Sequence, residues 1–175
     1  NGSMEGELAD GKTGLTVRDL ALKAIEAKTR GLVEILPDVH VFFDLISPEL
    51  SLVICGAGHI AIPLSRFARD VGFQVTIIDD REDFANPARF PGCNVLAADF
   101  STTLRDLNLN LSHYVVVITR GHEHDVDCLL EILKKETAYV GLIGSRRRVR
   151  FVLELLGDQG IAKERLQTVF TPIGT

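Results

Sequence analysis

Two short clusters in this chain carry side chains able to bind anions or metals. They sit far apart in the sequence. One is Gly56-Ala57-Gly58-His59-Ile60-Ala61, which fits the pattern G-x-G-x-x-G/A with Ala61 in the third small position. Gly56 permits a tight turn, Gly58 lets a diphosphate approach the backbone, and Ala61 lets a helix pack close to the preceding strand. The unpaired N–H groups of that helix would face the anion. An acidic residue is expected about twenty positions on, and Asp79 falls there, where its carboxylate could accept both hydroxyls of a ribose. Asp80 competes for that role. Arg81 either faces a 2′-phosphate or pairs with a neighbour, and the residue types do not decide between the two.

The other cluster is itself in two parts. "TRGHEHD" (119–125) supplies Arg120, His122, His124 and Asp125, and "GSRRR" (144–148) supplies Ser145, Arg146, Arg147 and Arg148. Imidazole and carboxylate suit a metal, so His122, His124 and Asp125 are candidate ligands, though H-x-H-D is not a recognised zinc spacing. The competing reading puts the histidines in a polar pocket and Asp125 at a helix start, where its charge favours the dipole. Ser145 is a plausible helix cap. Three arginines in a first turn oppose the helix dipole, which a bound anion would explain, because guanidinium forks match phosphate and carboxylate oxygens. Arg147 is the one read as simply solvated or ion-paired. Among the cysteines, Cys55 and Cys128 read as buried apolar fillers, and Cys93 as the exposed one.

Elements that would position these residues are legible from periodicity. "LSLVIC", "FQVTIID", "CNVLAAD", "HYVVVIT" and "AYVGLIG" are strand-like, and "QTVF" adds a last short piece. Between them lie helical stretches, "HIAIPLSRFARDVG", "HDVDCLLEILKKE" and "RRRVRFVLELLGDQG". Strands alternating with helices predict an α/β fold of Rossmann-like, doubly wound type, with a mainly parallel sheet and helices on both faces. Ligands of such sheets bind outside the carboxyl ends of the strands, which is where both clusters fall. The domain is expected over residues 49–175. Residues 1–48 are expected to be an N-terminal remnant or linker: a helix capped by Thr16 and stopped at Gly31, then a strand "HVFFDLI" broken at Pro48.

Composition narrows the class. The 175 residues are 46% hydrophobic and 25% charged, which is globular, and the net charge of −5 offers nothing to nucleic acid or anionic lipid. Three unpaired cysteines suit a reducing compartment, and no apolar run reaches the length of a membrane span, so a cytoplasmic protein is expected. No Ser-His-Asp signature, C-x-x-C pair or Walker lysine follows the turn.

On "LVICGAGHIAIPLSRFARDVGF" (52–73), "IDDRED" (78–83), "TRGHEHDVDCL" (119–129), "YVGLIGSRRR" (139–148) and "PIG" (172–174), the chain resembles the XdhC/CoxI family. These are maturation factors of xanthine and carbon-monoxide dehydrogenases, and the likeness covers their C-terminal Rossmann-like domain. It implies an accessory protein, not an enzyme. Such a protein would bind molybdenum cofactor (molybdopterin or its nucleotide form) and support sulfuration by a cysteine desulfurase. It would then deliver the cofactor to a molybdenum hydroxylase apoenzyme. A homodimer stays open. The family's fuller N-terminal domain corresponds here to residues 1–48 at most, as in a fragment or one half of a split member. An NAD(P)-dependent oxidoreductase and a regulatory nucleotide-sensing domain are the rival readings of the same turn.

Overall fold

The computed structural model describes residues 11–46 and 49–173, so the expectations at Pro48 and Gly174 fall outside the described residues. The chain divides into two compact units, residues 1–48 and 49–175.

In the first unit a helix, α1 (Gly11–Glu26), precedes two antiparallel strands, β1 (Gly31–Leu36) and β2 (Val39–Phe43). The helix starts earlier than the cap reading expects. Thr16 lies inside it and donates its hydroxyl to the carbonyl of Lys12 at 3.1 Å, the local bond that lets threonine sit within a helix. Gly31 does not stop the helix but opens β1, whose register pairs Leu32 with Phe42 and Val33 with Val41. Asp38, at φ 63°, turns the hairpin.

The second unit is built on six parallel strands: β3 (Ser51–Cys55), β4 (Gln74–Asp79), β5 (Asn94–Ala97), β6 (His113–Val117), β7 (Tyr139–Leu142) and β8 (Val169–Phe170), in spatial order β5-β4-β3-β6-β7-β8. Chain direction across the sheet therefore reverses between β3 and β6. That reversal opens a crevice beyond the strand ends, because the connections leave in opposite directions there. β3 is buried on both faces, as its unbroken apolar sequence requires.

Helices cover both faces. α2 (Ala61–Asp70) packs with Leu52, Ile54 and Val116 on one face. α3 (Phe100–Asp106), α4 (His122–Ile132) and α5 (Arg146–Asp158) bury Val53, Cys55, Val115 and Val117 on the other. A one-turn helix, α6 (Lys163–Leu166), precedes β8. No regular helix joins β4 to β5. Residues 80–93 fold there as turns anchored by the buried Ala85 and Phe90.

Polar side chains close the helix ends. Asp99 caps α3 by accepting the N–H of Thr102 at 2.9 Å. At its other end Lys135 donates to the carbonyls of Leu104, Arg105 and Leu107 at 2.6, 2.8 and 2.5 Å. Carbonyls at a helix end lack intrahelical partners, so the ammonium serves acceptors there, sharing the Leu107 carbonyl with the N–H of Leu109 at 2.9 Å.

Candidate functional site

The glycine turn leaves β3 under close constraint. Gly56 adopts φ +112°, and a Cβ there would stand 2.6 Å from the carbonyl oxygen of Ile118 on the neighbouring strand's extension. Only glycine fits that crossing. Gly58 differs, since a Cβ at that position meets nothing within 4 Å. Its missing side chain leaves open space beyond the turn and is not required by the fold. Ala61 is buried at the start of α2, and no side chain caps that helix. His59 is exposed on the turn.

Asp79 lies at the end of β4 but faces inward, with 1% of its surface exposed. The N–H of Ala57 donates to its Oδ2 at 2.7 Å, which fastens the glycine turn to β4. Arg81 supplies the remaining donors: its N–H (3.1 Å) and Nε (2.8 Å) to Oδ1, and Nη2 to Oδ2 (3.0 Å). Burial pushes the carboxyl up, but the Arg81 fork and the two backbone N–H bonds outweigh it and hold Asp79 below the usual carboxylate range. Arg81 is itself stacked over Phe84, its guanidinium carbon 3.6 Å from the ring centroid. Of the two sequence readings of Arg81, pairing with a neighbour is the one this arrangement displays.

Asp80 points outward and is gripped by Arg120, with Nη1–Oδ1 at 2.5 Å and Nη2–Oδ2 at 2.8 Å. The Arg120 hydrogen bond pulls Asp80 down to about 2.

On the far side of the crevice Asp125 is fully buried. It takes the Thr119 hydroxyl at 2.6 Å on Oδ1 and the Arg148 Nε at 2.6 Å on Oδ2. Burial raises its carboxyl above the ordinary range despite those two partners. Arg148 also reaches the carbonyl of Thr119 at 3.2 Å. It thus locks α5 to the loop after β6 and spends its donors inside the protein. Ser145 caps α5 by accepting the Arg148 N–H at 3.3 Å.

His122 and His124 diverge. The His122 ring meets Phe151 of α5 edge-on at 5.2 Å, and His124 lies 5.5 Å from Phe100 of α3. With Asp125 turned inward, the three candidate ligands do not converge, and the described residues hold no cluster of three or more His, Cys, Asp or Glu placed for a metal.

The arginines separate in the same way. Arg146 is exposed, and Arg147 and Arg150 line a groove of about 800 Å³ with His122, Arg148, Phe151 and Glu154. Among the described residues Arg146, Arg147 and Arg150 have no ion-pair partner. Arg150 and Phe151 belong to no sequence motif. Their signal is helical spacing, since 147, 150, 151 and 154 share one face of α5. Cys55 and Cys128 are buried, as fillers should be; Cys93 is only half-buried, beside a hollow of about 470 Å³ under α2.

A six-stranded parallel sheet in this order, with a glycine turn at its reversal, defines a Rossmann-like domain. Residues 52–175 match the family model described as the XdhC Rossmann domain, and the chain belongs to that family. It is 28% identical over 138 residues to an uncharacterized protein of Escherichia coli K12, YqeB, covering 78% of this chain and 25% of that protein. It is 29% identical over 115 residues to a probable xanthine dehydrogenase subunit of Bacillus subtilis 168, covering 65% of this chain and 35% of that one. A solved structure of a xanthine dehydrogenase from Bacillus halodurans matches with a TM-score of 0.63 at 30% identity, over 74% of this chain and 38% of that one. This chain thus spans about a quarter to a third of the curated relatives' length. No helix among the described residues is long and apolar enough to cross a membrane.

Proposed function

We propose that this domain is the cofactor-holding part of a maturation factor for a xanthine dehydrogenase-type molybdenum hydroxylase. In this reading it binds molybdenum cofactor by its phosphate, presents it to a cysteine desulfurase for sulfuration, and passes it to the apoenzyme. The observation that carries the reading is the open space at Gly58 in front of a helix start without a side-chain cap, with arginines on the same sheet edge that have no ion-pair partner among the described residues. The names of the Bacillus relatives support the choice of client.

The donor set suits such a ligand. A phosphate fits against the backbone at Gly58 and the first turn of α2, where N–H groups and the dipole favour negative charge. His59 lies on that turn as a further donor. Arg146, Arg147 and Arg150 provide forks for further anionic oxygens, and His122 with Phe151 gives a flat apolar wall. Bound there, the cofactor would supply the molybdenum chemistry of its client, while this chain holds and shields it.

Support for an accessory role comes from the carboxylates. Asp79, Asp80 and Asp125 are each committed to an arginine, so none is set to take a proton from a substrate. NAD(P) remains the rival occupant of the turn. The test is reconstitution: apo-hydroxylase is given cofactor, a sulfur donor and this protein. The proposal predicts a rise in hydroxylase activity that Gly58→Val abolishes, and no oxidation of NADH or NADPH by the chain alone. Robust nicotinamide turnover with no effect on the hydroxylase would contradict it.

A further inference from the structure

The corner of the crevice that would meet a ribose is covered by arginine. A neutral vicinal diol needs outward-facing acceptor oxygens, which a carboxylate at the end of β4 would normally offer. Here Asp79 is 1% exposed, and its two oxygens already take four N–H donors, three of them from Arg81. Arg81 cannot swing away freely, because its plane rests on Phe84 at 3.6 Å and Arg89 stacks on the same ring at 5.0 Å. The adjacent carboxylate, Asp80, is engaged on both oxygens by Arg120. What faces outward is guanidinium: Arg81 Nη1 and Arg120 Nε have no acceptor among the described residues. Those groups donate only, and they prefer an anion to a hydroxyl.

We propose that Arg81 is a specificity-determining residue. By occupying Asp79 it removes the ribose acceptor from the turn, so the site takes phosphate-bearing ligands without reading a ribose diol. This inference rests on the phosphate-turn reading of the proposed function and narrows it to phosphoesters recognised independently of a nucleoside sugar. Asp79 then acts as a positioning residue, holding the turn through Ala57.

The test is calorimetric titration with ADP, 2′,3′-dideoxy-ADP and inorganic pyrophosphate as probes. Wild-type protein should bind the two nucleotides with affinities equal within about twofold. Arg81→Ala, which bares Asp79, should come to prefer ADP over the dideoxy form by roughly ten- to a hundredfold, the worth of a hydrogen bond to a charged acceptor. Arg81→Gln, closer in size, serves if the alanine variant does not fold. A tenfold preference for ADP in the wild type would overturn the inference and leave the phosphate turn standing. A folded Arg81 variant that stays indifferent to the diol would overturn it as well. Failure of the wild type to bind all three probes would overturn the phosphate-turn reading itself, and this inference with it.

Discussion

Asp80 and Arg120 meet fork to fork, at 2.5 and 2.8 Å, although forty residues separate them. Asp80 follows β4 and Arg120 follows β6, and these are the two strands that flank β3. The pair therefore spans the carboxyl end of β3, in front of the glycine turn. Beneath it Asp79 ties that turn to β4, and beside it Arg148 and Asp125 tie α5 to the loop after β6. Three arginine–aspartate pairs thus set the shape of the crevice.

The Asp80–Arg120 pair should show in titration. Asp80 has a folded pKa of about 2 against an ordinary 3.8, chiefly through the Arg120 hydrogen bond. A depressed carboxyl pKa stabilises the fold above the unfolded value, and that contribution is lost as pH falls from 3.8 towards 2. In Arg120→Ala, carboxyl NMR should place the Asp80 midpoint back near the ordinary value, and the variant should lack this component of acid sensitivity. An unmoved midpoint would show that Arg120 is not its cause. Both groups are largely exposed, so the effect on overall stability is small.

The two glycines of the turn should separate fold from ligand. Gly56→Ala combines a positive φ with a clash on backbone, and should cost about 2–4 kcal/mol in thermal or denaturant unfolding. Gly58→Val should unfold within about 1 kcal/mol of wild type, yet lose phosphate binding, because its side chain enters the space the anion needs. Equal losses of stability in the two would mean that Gly58 is structural too.

The arginines opening α5 should split the same way. Arg148→Met leaves the fully buried Asp125 without its cation and should cost about 2–3 kcal/mol, discounted for the partial exposure of Arg148. The double change Arg147→Ala with Arg150→Ala removes side chains that have no ion-pair partner among the described residues. It should change stability by no more than about 0.5 kcal/mol while lowering affinity for anionic ligands. Denaturation midpoints and calorimetric titration distinguish the two classes.

Lys135 makes a prediction independent of any ligand. Lys135→Met keeps the apolar stem and strips the donors from three carbonyls at the end of α3. It should destabilise the domain by about 1–2 kcal/mol, measured by urea unfolding with an unchanged m-value. No change would mean that water replaces the ammonium without loss.

Much of the fold is legible in the residues. Short, β-branched apolar runs such as "LVIC" and "VVVI", bounded by turn residues, fit strands buried on both faces, and the turn at Gly56 marks the first crossover. The cap at Ser145 follows from its place before a helix. Less legible are the partners of charged side chains. Asp79, Asp80 and Asp125 look alike in sequence, and which arginine each meets depends on strands brought together from up to forty residues away. Arg148 is thus an internal clasp, while Arg150, outside any motif, lines the groove. In the N-terminal unit the helix and β2 are legible but β1 is not, for a local reason. "GLVEIL" alternates as a strand does, but glycine and proline at its ends suggest a break instead of a hairpin.

Holding a phosphate-bearing pterin cofactor at the turn of Gly56 to Ala61 is the proposed role of this domain. It is tested most directly by expressing wild-type and Gly58→Val protein with molybdate and assaying each purified protein for bound pterin by mass spectrometry and oxidised-pterin fluorescence. Wild-type protein should carry molybdopterin, or its nucleotide form, in near-stoichiometric amount, and the folded variant at least tenfold less, about 1.4 kcal/mol of lost affinity. Pterin absent from the wild type, or retained equally by Gly58→Val, would contradict it.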